Sequence, residues 1–155
     1  MRAWGRRILL VLLVLVVAVQ FIPVGMANPP EDPAQTVYAT VPVPPDIASI
    51  LRRACQDCHS NQTVWPWYSR VAPVSWLIAR DVSKGRGELN LSEWGAYATR
   101  RKDRKLQEIC QQVTRGEMPM PVYTLMHPQA RLSDQDKKAM CDWADAGRKQ
   151  VRPAS

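Results

Sequence analysis

The residues of this chain whose types and spacing can do chemistry together are Cys55-Gln56-Asp57-Cys58-His59. Two thiols at this spacing can each form a thioether with one vinyl group of a porphyrin, and the adjacent imidazole can then ligate the iron. The C-x-x-C-H pattern is the attachment signature of a c-type haem. It therefore predicts one covalent haem c, bound through Cys55 and Cys58, with His59 as the proximal iron ligand.

Two other chemistries use closely spaced cysteines, and the sequence disfavours both. A thioredoxin-like dithiol opens a helix after a strand, whereas this motif closes a predicted helix that no strand precedes. A zinc site needs a second Cys/His pair at metal-ligand spacing, which the sequence lacks. Haem attachment is therefore the main interpretation.

Haem iron needs a second axial ligand opposite His59. Met118 is the first candidate because it stands before Pro119 in a loop ahead of the last predicted helix. This arrangement resembles that of class I cytochromes c, which place their ligand methionine before a proline. Met120 would point to the other side of an extended segment, and His127 would give bis-histidine ligation with a lower reduction potential. Both stay open as alternatives, as does an iron without a strong sixth ligand.

Aromatic residues close to the motif are expected to wall the haem. They are Trp65, Trp67, Tyr68 and Trp76. An indole N–H or a phenol hydroxyl there could also satisfy a propionate. The Nδ1 atom of His59 needs a hydrogen-bond acceptor as well. The carbonyl of Pro66 or of Pro73 could provide it, as a proline does in class I cytochromes c, and the spacing does not decide between them.

Helical periodicity dominates the elements that must position these residues, and no block of alternating β-branched residues predicts a strand. The sequence therefore predicts an all-α, cytochrome c-like domain around one haem. The boundary residues of its four predicted helical regions are Asp46 and Cys58, Pro73 and Gly85 or Gly87, Ser92 and Gly116, and Ser133 and Gly147. A proline-bounded loop from Glu117 to Leu132 carries Met118.

The chain begins with basic residues followed at once by an apolar run: Arg2, Arg6 and Arg7, then Ile8 to Ile22. The positive-inside rule places the N-terminus in the cytoplasm and the rest outside. Extended to Met26, the run has the marginal length of a transmembrane anchor, although cleavage as a signal peptide near Ala27 is the alternative. We expect a single-pass bacterial inner-membrane protein with a periplasmic C-terminal domain, or a form secreted to the periplasm.

Three segments follow from this reading. Residues 1–27 are the basic tip with the anchor or signal, residues 28–45 a linker, and residues 46–150 the haem-binding domain. Six of the 13 prolines fall within 28–45, which predicts an extended spacer that holds the domain off the membrane.

Cys110 and Cys141 are the two remaining cysteines of the chain. A compartment that oxidises thiols favours a disulfide between them, and each lies on a predicted helix that flanks the Met118 loop. Two buried free cysteines are the alternative.

The 155 residues carry a formal charge of +7, with 21 basic and 14 acidic side chains. Three of the arginines precede the apolar run, and the other bases alternate with acids, as in residues 100–105, which is typical of a solvated helix face. A basic docking surface for a redox partner is the other interpretation of residues 100–105. No recognition-helix, ribonucleoprotein or zinc-finger pattern supports nucleic-acid binding.

The chain resembles a family of small haem-binding domains found in bacterial membrane-anchored, cytochrome c-like proteins. The resemblance spans nearly the whole sequence. It rests on QFIPV at 20–24 with Asn28-Pro29-Pro30, CQDCHSN at 55–61, WPWYS at 65–69, APVSWLIARDV at 72–82, GEMPMP at 116–121 and HPQARLS at 127–133. The resemblance implies a haem c protein of cytochrome c-like fold and leaves the physiological partner open.

The leading hypothesis for function is a tethered one-electron carrier with an unidentified redox protein as partner. A haem-based sensor or a peroxidase-like enzyme with a labile distal ligand is the alternative. The sequence contains no recognisable distal His-Arg pair for peroxide cleavage, which favours the carrier. A weaker alternative treats Met118, Met120, Met126 and His127 as copper ligands.

Overall fold

The structure, a computed structural model, describes residues 2–152, and all regular elements in that range are helices. Met1 and the Arg2 side chain, both in the predicted basic tip, lie outside the described part. The α-helices of residues 2–152 are α1 (Arg2–Val19), α2 (Val37–Thr40), α3 (Pro45–Ala54), α4 (Gln56–His59), α5 (Val74–Glu88), α6 (Thr99–Arg115), α7 (Pro121–Met126) and α8 (Asp134–Val151). Short 3-10 helices cover Pro33–Gln35, Trp67–Arg70, Trp94–Ala96 and Pro128–Ala130. The predicted all-α class is confirmed.

Helices α6 and α8 pack against each other at the centre of the core. Their apolar residues at helical spacing are buried there, among them Leu106 and Val113 on α6 and Met140 on α8. Gly147 permits close approach, because a Cβ at that position would stand 3.1 Å from a methyl carbon of Leu106. Burial of this apolar stripe is the main source of stability for such a helix pair.

The ends of α6 and α8 follow from local chemistry. Gly116, at φ +70°, ends α6 in the left-handed conformation that glycine adopts without strain. Ser133 caps α8 in a reciprocal capping box with Asp136. The segment between these two ends carries Met118, as the sequence predicts, but it is not one continuous loop, because α7 (Pro121–Met126) and the 3-10 helix Pro128–Ala130 form within it.

Helix α5 differs from its prediction. It continues through Gly85 and Gly87 and ends at Glu88, whereas these glycines were expected to stop it. Gly85 is a packing position inside the helix, because a side chain there would strike the backbone of Cys58.

Residues 28–45 are part of the folded domain, so the prediction of an extended linker is wrong. Val37 is fully buried, and its N–H donates to the carbonyl of Leu91 at 2.8 Å. The indole of Trp143, on α8, donates to the carbonyl of Pro42 at 3.0 Å. The prolines exclude a long helix, but the apolar residues between them still pack onto the core.

The apolar run was predicted to extend to Met26 as one segment, but the N-terminal helix ends at Val19. The side chain of Gln20 instead bonds to the backbone of Ala72, and Pro23 cannot continue a helix without a clash. None of the helices within residues 2–152 has both the length and the apolar composition needed to cross a membrane.

Candidate functional site

The C-x-x-C-H motif lies at a break between two helices. Helix α3 ends at Ala54, and Cys55, with φ −124° and ψ −39°, turns the chain into α4. Burial raises the pKa of the Cys55 thiol to about 12 and that of Cys58 to about 11. Thiolate chemistry needs the opposite shift, so the environment disfavours the dithiol alternative.

The His59 ring is held by two backbone carbonyls. Its Nδ1 atom lies 2.9 Å from the Gly85 oxygen and 3.1 Å from the Leu89 oxygen. Carbonyls only accept, so Nδ1 carries the proton and Nε2 keeps its lone pair. Burial lowers the pKa of the imidazole, although both hydrogen bonds act the other way. The ring is therefore a neutral imidazole with a fixed tautomer, the form that can bind a metal through Nε2.

The expected acceptors for His59 were Pro66 and Pro73, and this expectation is wrong. The Pro66 carbonyl accepts from the N–H and the hydroxyl of Ser69, and the Pro73 carbonyl accepts from the N–H of Trp76. Both carbonyls are used within the local turns that the prolines form. The carbonyls that orient the imidazole come from the end of α5 instead.

Gly85 brings α5 against the motif. A Cβ on this residue would stand 2.5 Å from the carbonyl oxygen of Cys58, closer than real Cβ contacts occur. The same residue supplies the nearer acceptor for His59. Gly85 therefore sets both the distance of α5 from the motif and the orientation of the imidazole.

Two adjoining cavities, of about 250 Å³ and 450 Å³, lie beside the motif. Both are lined by Ala54, His59 and Met118. The smaller one also contacts Cys55 and the core side of α6, and the larger one also contacts Cys58. The cavities thus bring together both motif cysteines, the proposed proximal ligand and the first candidate for the distal ligand.

This set of donors fits a haem. A neutral imidazole, a thioether and two thiols adjoin connected space with apolar walls, and these are the groups that hold a c-type haem. A sequence model of the family described as "Haem-binding domain" matches residues 14–146. The chain belongs to this haem-binding domain family. Comparisons with curated proteins and with solved structures gave no match.

The three candidates for distal ligand of the haem-binding domain lie in different places. Met118 lines both cavities beside His59, and Met120 lines only the larger one. His127 lines neither, since its Nε2 lies 2.6 Å from the Tyr68 hydroxyl. The structure therefore brings Met118 closest to the predicted arrangement, and its role as a ligand stays a prediction.

None of the four aromatic residues predicted to wall the haem lines these two cavities, although Tyr68 lines a third cavity that also contacts Cys58. Trp67 is 77% exposed, and the indole of Trp65 donates to the side chain of Asn28 at 3.1 Å. Tyr68 contacts His127, and Trp76 is also exposed. Residues Trp67–Arg70, which follow Pro66, form a 3-10 helix in which only Ser69 is buried.

The structure adds one contact that sequence reasoning missed. The Tyr123 hydroxyl donates to the carboxylate of Asp57 at 2.8 Å, and burial together with this bond raises the pKa of Tyr123. Asp57 lies inside the motif, whereas Tyr123 lies on α7, just after the Met118 loop. No sequence signal pairs two residues so far apart in the chain.

A second missed feature is an ion-paired lysine at the rim of the smaller cavity. Lys105 is only 7% exposed and lies 2.6 Å from Glu108 and 3.4 Å from Glu88. It had been assigned to a solvated face because residues 100–105 alternate in charge. Its buried stem and paired ammonium belong to the site instead.

Cys110 and Cys141, for which the sequence predicted a disulfide, are bonded to each other, with their Cα atoms 4.6 Å apart. The bond joins α6 to α8, the two helices on either side of the loop that carries Met118. It limits how far the two ends of that loop can separate.

Proposed function

We propose that this haem-binding domain is a monohaem c-type cytochrome that transfers one electron. The observation that carries the proposal is that His59 and Met118 line the same two cavities, which also contact Cys55 and Cys58. In this proposal the fold is cytochrome c-like and the haem is covalent.

Each residue has a distinct role in this proposal. Cys55 and Cys58 would hold the porphyrin through thioethers, and the His59 Nε2 atom and the Met118 sulfur would hold its iron. When bound, the haem supplies an iron that alternates between the ferric and ferrous states. Two protein ligands leave no position for a substrate, which favours electron transfer over catalysis.

We also propose that the domain works on the periplasmic side of the bacterial inner membrane, with a redox protein as its partner and no nucleic acid. The N-terminal arginines and apolar helix support export. Cleavage that leaves Asn28 as the first residue would keep the bond from Arg86 to the Asn28 side chain at 2.8 Å and would remove the one to the Ala27 carbonyl at 2.9 Å. Recovery of a soluble mature chain beginning at Asn28 would establish the secreted form.

Optical spectra of the full chain, made in cells that mature c-type haem, test the function. We expect a reversible one-electron couple and a ferrous form that resists carbon monoxide. Met118→Ala should open the iron to carbon monoxide and lower the potential, whereas Met120→Ala, the matched control, should change neither. Rapid binding of carbon monoxide by the wild type would support the sensor or peroxidase-like alternative instead.

A further inference from the structure

A third cavity, of about 550 Å³, is an open apolar groove lined largely by residues 64–78 and α7, and it meets the haem site at Cys58 and Met120. We call it the lateral groove. Val64 is 74% exposed and Leu125 71% exposed, and Leu77, Val122 and Met126 are each more than half exposed. A soluble surface rarely leaves so many neighbouring apolar side chains in water, so the groove is a binding surface.

The lateral groove lies next to the end of α1. The Gln20 side chain accepts from the Ala72 N–H at 2.9 Å and donates to the Ala72 carbonyl at 3.4 Å. Val74, two residues further on, lines the groove. The apolar side chains of residues 8–17 on α1 are all at least half exposed. One surface of exposed apolar residues thus runs from the helix to the groove.

The few charged groups of the groove are compensated within the protein. Asp57 accepts from the Tyr123 hydroxyl and from the Val64 N–H, and Asp81 pairs with Arg80 at 3.0 Å. Among the described residues that line the groove, no unpaired carboxylate is therefore left to repel an anionic surface.

The residues at the edge of the groove suit a lipid interface. Trp67 is the most exposed aromatic side chain near the groove, and Arg70 lies exposed in the same 3-10 helix. Tryptophan concentrates at the boundary between lipid and water, and arginine is attracted to anionic headgroups. A helix that is apolar on all sides also requires lipid or a protein core around it. A bilayer would cover the exposed apolar residues of α1 and of the groove at the same time.

We propose that the lateral groove and Trp67 bind the interfacial region of a phospholipid bilayer. The domain is then attached to the membrane by its own surface as well as by α1. This inference rests on the proposed location of the domain at a membrane. Its consequence is a fixed orientation, in which the Cys58 side of the haem site lies close to the lipid headgroups.

Photo-cross-linking in the full chain tests the inference. The photoreactive residue p-benzoylphenylalanine replaces Leu125 or Val64 in the groove, Leu12 on α1 as the positive control, or Lys138, an exposed residue outside the groove. The probe is a vesicle of phosphatidylethanolamine and phosphatidylglycerol, and mass spectrometry identifies the adducts. We expect lipid adducts from Leu125, Val64 and Leu12 and none from Lys138. Leu77→Glu should remove the adduct at Leu125 and leave the one at Leu12.

The other outcomes each overturn the inference. Lipid adducts from Leu12 alone would mean that the domain is tethered but does not touch the bilayer. Adducts from Leu125 to a second copy of the chain would identify a protein interface instead. The absence of lipid adducts at all positions would contradict the proposed location at a membrane. The haem spectra read a separate property, so the proposed function could fail or stand independently of these results.

Discussion

The His59 side and the Met118 side of the haem site are built in different ways. His59 follows the two cysteines directly, and two carbonyls from the end of α5 fix its ring. Met118 lies in a loop and is 36% exposed. Its backbone N–H donates to the carbonyl of Gln112 at 3.2 Å. His59, the proposed proximal ligand, is thus half-buried and oriented by backbone atoms, whereas Met118, the proposed distal ligand, depends on how a surface loop is anchored.

This difference teaches where the function can vary. The proximal side combines a local motif with one close helix contact, so changes to the motif cysteines should abolish haem attachment, whereas changes to the helix contact should lower stability. The distal side is held by contacts between distant residues, so changes there should alter ligand exchange and potential while the haem stays bound. An electron carrier and a haem-based sensor of this fold would then differ in how the loop that carries Met118 is anchored.

The largest expected effect comes from the motif cysteines. Cys55→Ser with Cys58→Ser should remove the covalent haem, because no thioether can form. Haem staining of denaturing gels checks this result. Cys110→Ser is the control, since it breaks the disulfide and should lower stability by about 3 kcal/mol but keep the haem stain. A stain that resists acid-acetone extraction in the double variant would contradict the assignment.

The next effect tests the contact between α5 and the motif. Gly85→Ala should destabilise the protein by about 1–3 kcal/mol, because its Cβ would meet the Cys58 carbonyl and displace the acceptor of His59. Gly87→Ala, in the same helix with nothing within 4 Å of its Cβ, should be neutral or stabilising by about 0.5–1 kcal/mol. Urea unfolding of the two holoproteins compares them. Equal stability would show that the close approach of α5 is not needed.

A smaller effect tests the anchor of the distal loop. Tyr123→Phe removes the hydrogen bond to Asp57 and should cost about 1.5 kcal/mol, since a charged acceptor loses its partner. The haem should remain attached, but the ferrous protein should bind carbon monoxide faster. Tyr38→Phe, at an exposed tyrosine that lines neither cavity, should change neither property. Unchanged carbon monoxide kinetics in Tyr123→Phe would separate this bond from the Met118 loop.

The smallest effect concerns the start of α8, where Asp136 binds Arg53 of α3 at 2.8 Å. Burial alone would raise the pKa of Asp136, but the bonds from Ser133 and Arg53 lower it. A lowered pKa contributes stability above the unfolded value, and this contribution is lost as the pH falls through the folded pKa. Asp136→Asn should therefore cost about 1 kcal/mol at pH 7, and the difference should begin to shrink below about pH 4 and disappear only once the pH has fallen below the lowered pKa of the folded state.

Thermal unfolding of wild type and variant across this pH range measures the difference. Asp142→Asn is the control, because Asp142 pairs with Lys138 on an exposed face and should change stability by no more than about 0.5 kcal/mol. A difference that persists unchanged in acid would mean that ionisation of Asp136 does not stabilise α8.

The sequence predicts the features that depend on neighbouring residues. Helical periodicity, the Gly116 end of α6 and the Ser133 cap of α8 are local properties, and the structure has each of them. Prediction from the sequence fails where contacts between distant segments determine the structure. From the sequence, Gly85 was expected to end a helix, but it is a packing position against Cys58. Val37 was expected to lie in a linker, but it is buried in the core.

The features of the candidate site also divide into those set by neighbouring residues and those set by tertiary contacts. The spacing of the motif identifies Cys55, Cys58 and His59, because thioether attachment requires neighbours in sequence. The acceptors of His59 and the bond between Tyr123 and Asp57 come from tertiary contacts that no local pattern contains. The aromatic residues near the motif were assigned by proximity in sequence, and the fold leaves Trp67 exposed and places Tyr68 in a different cavity from His59.

The nuclear magnetic resonance spectrum of the reduced protein, labelled at its methionine methyl groups, tests the central claim most directly. A methyl group on a sulfur bound to haem iron lies over the porphyrin, so its signal moves far from the other methionines. We predict one such signal, which is lost in Met118→Leu and kept in Met120→Leu. A shifted signal that survives Met118→Leu, or its absence from the wild type, would contradict ligation of the haem by His59 and Met118.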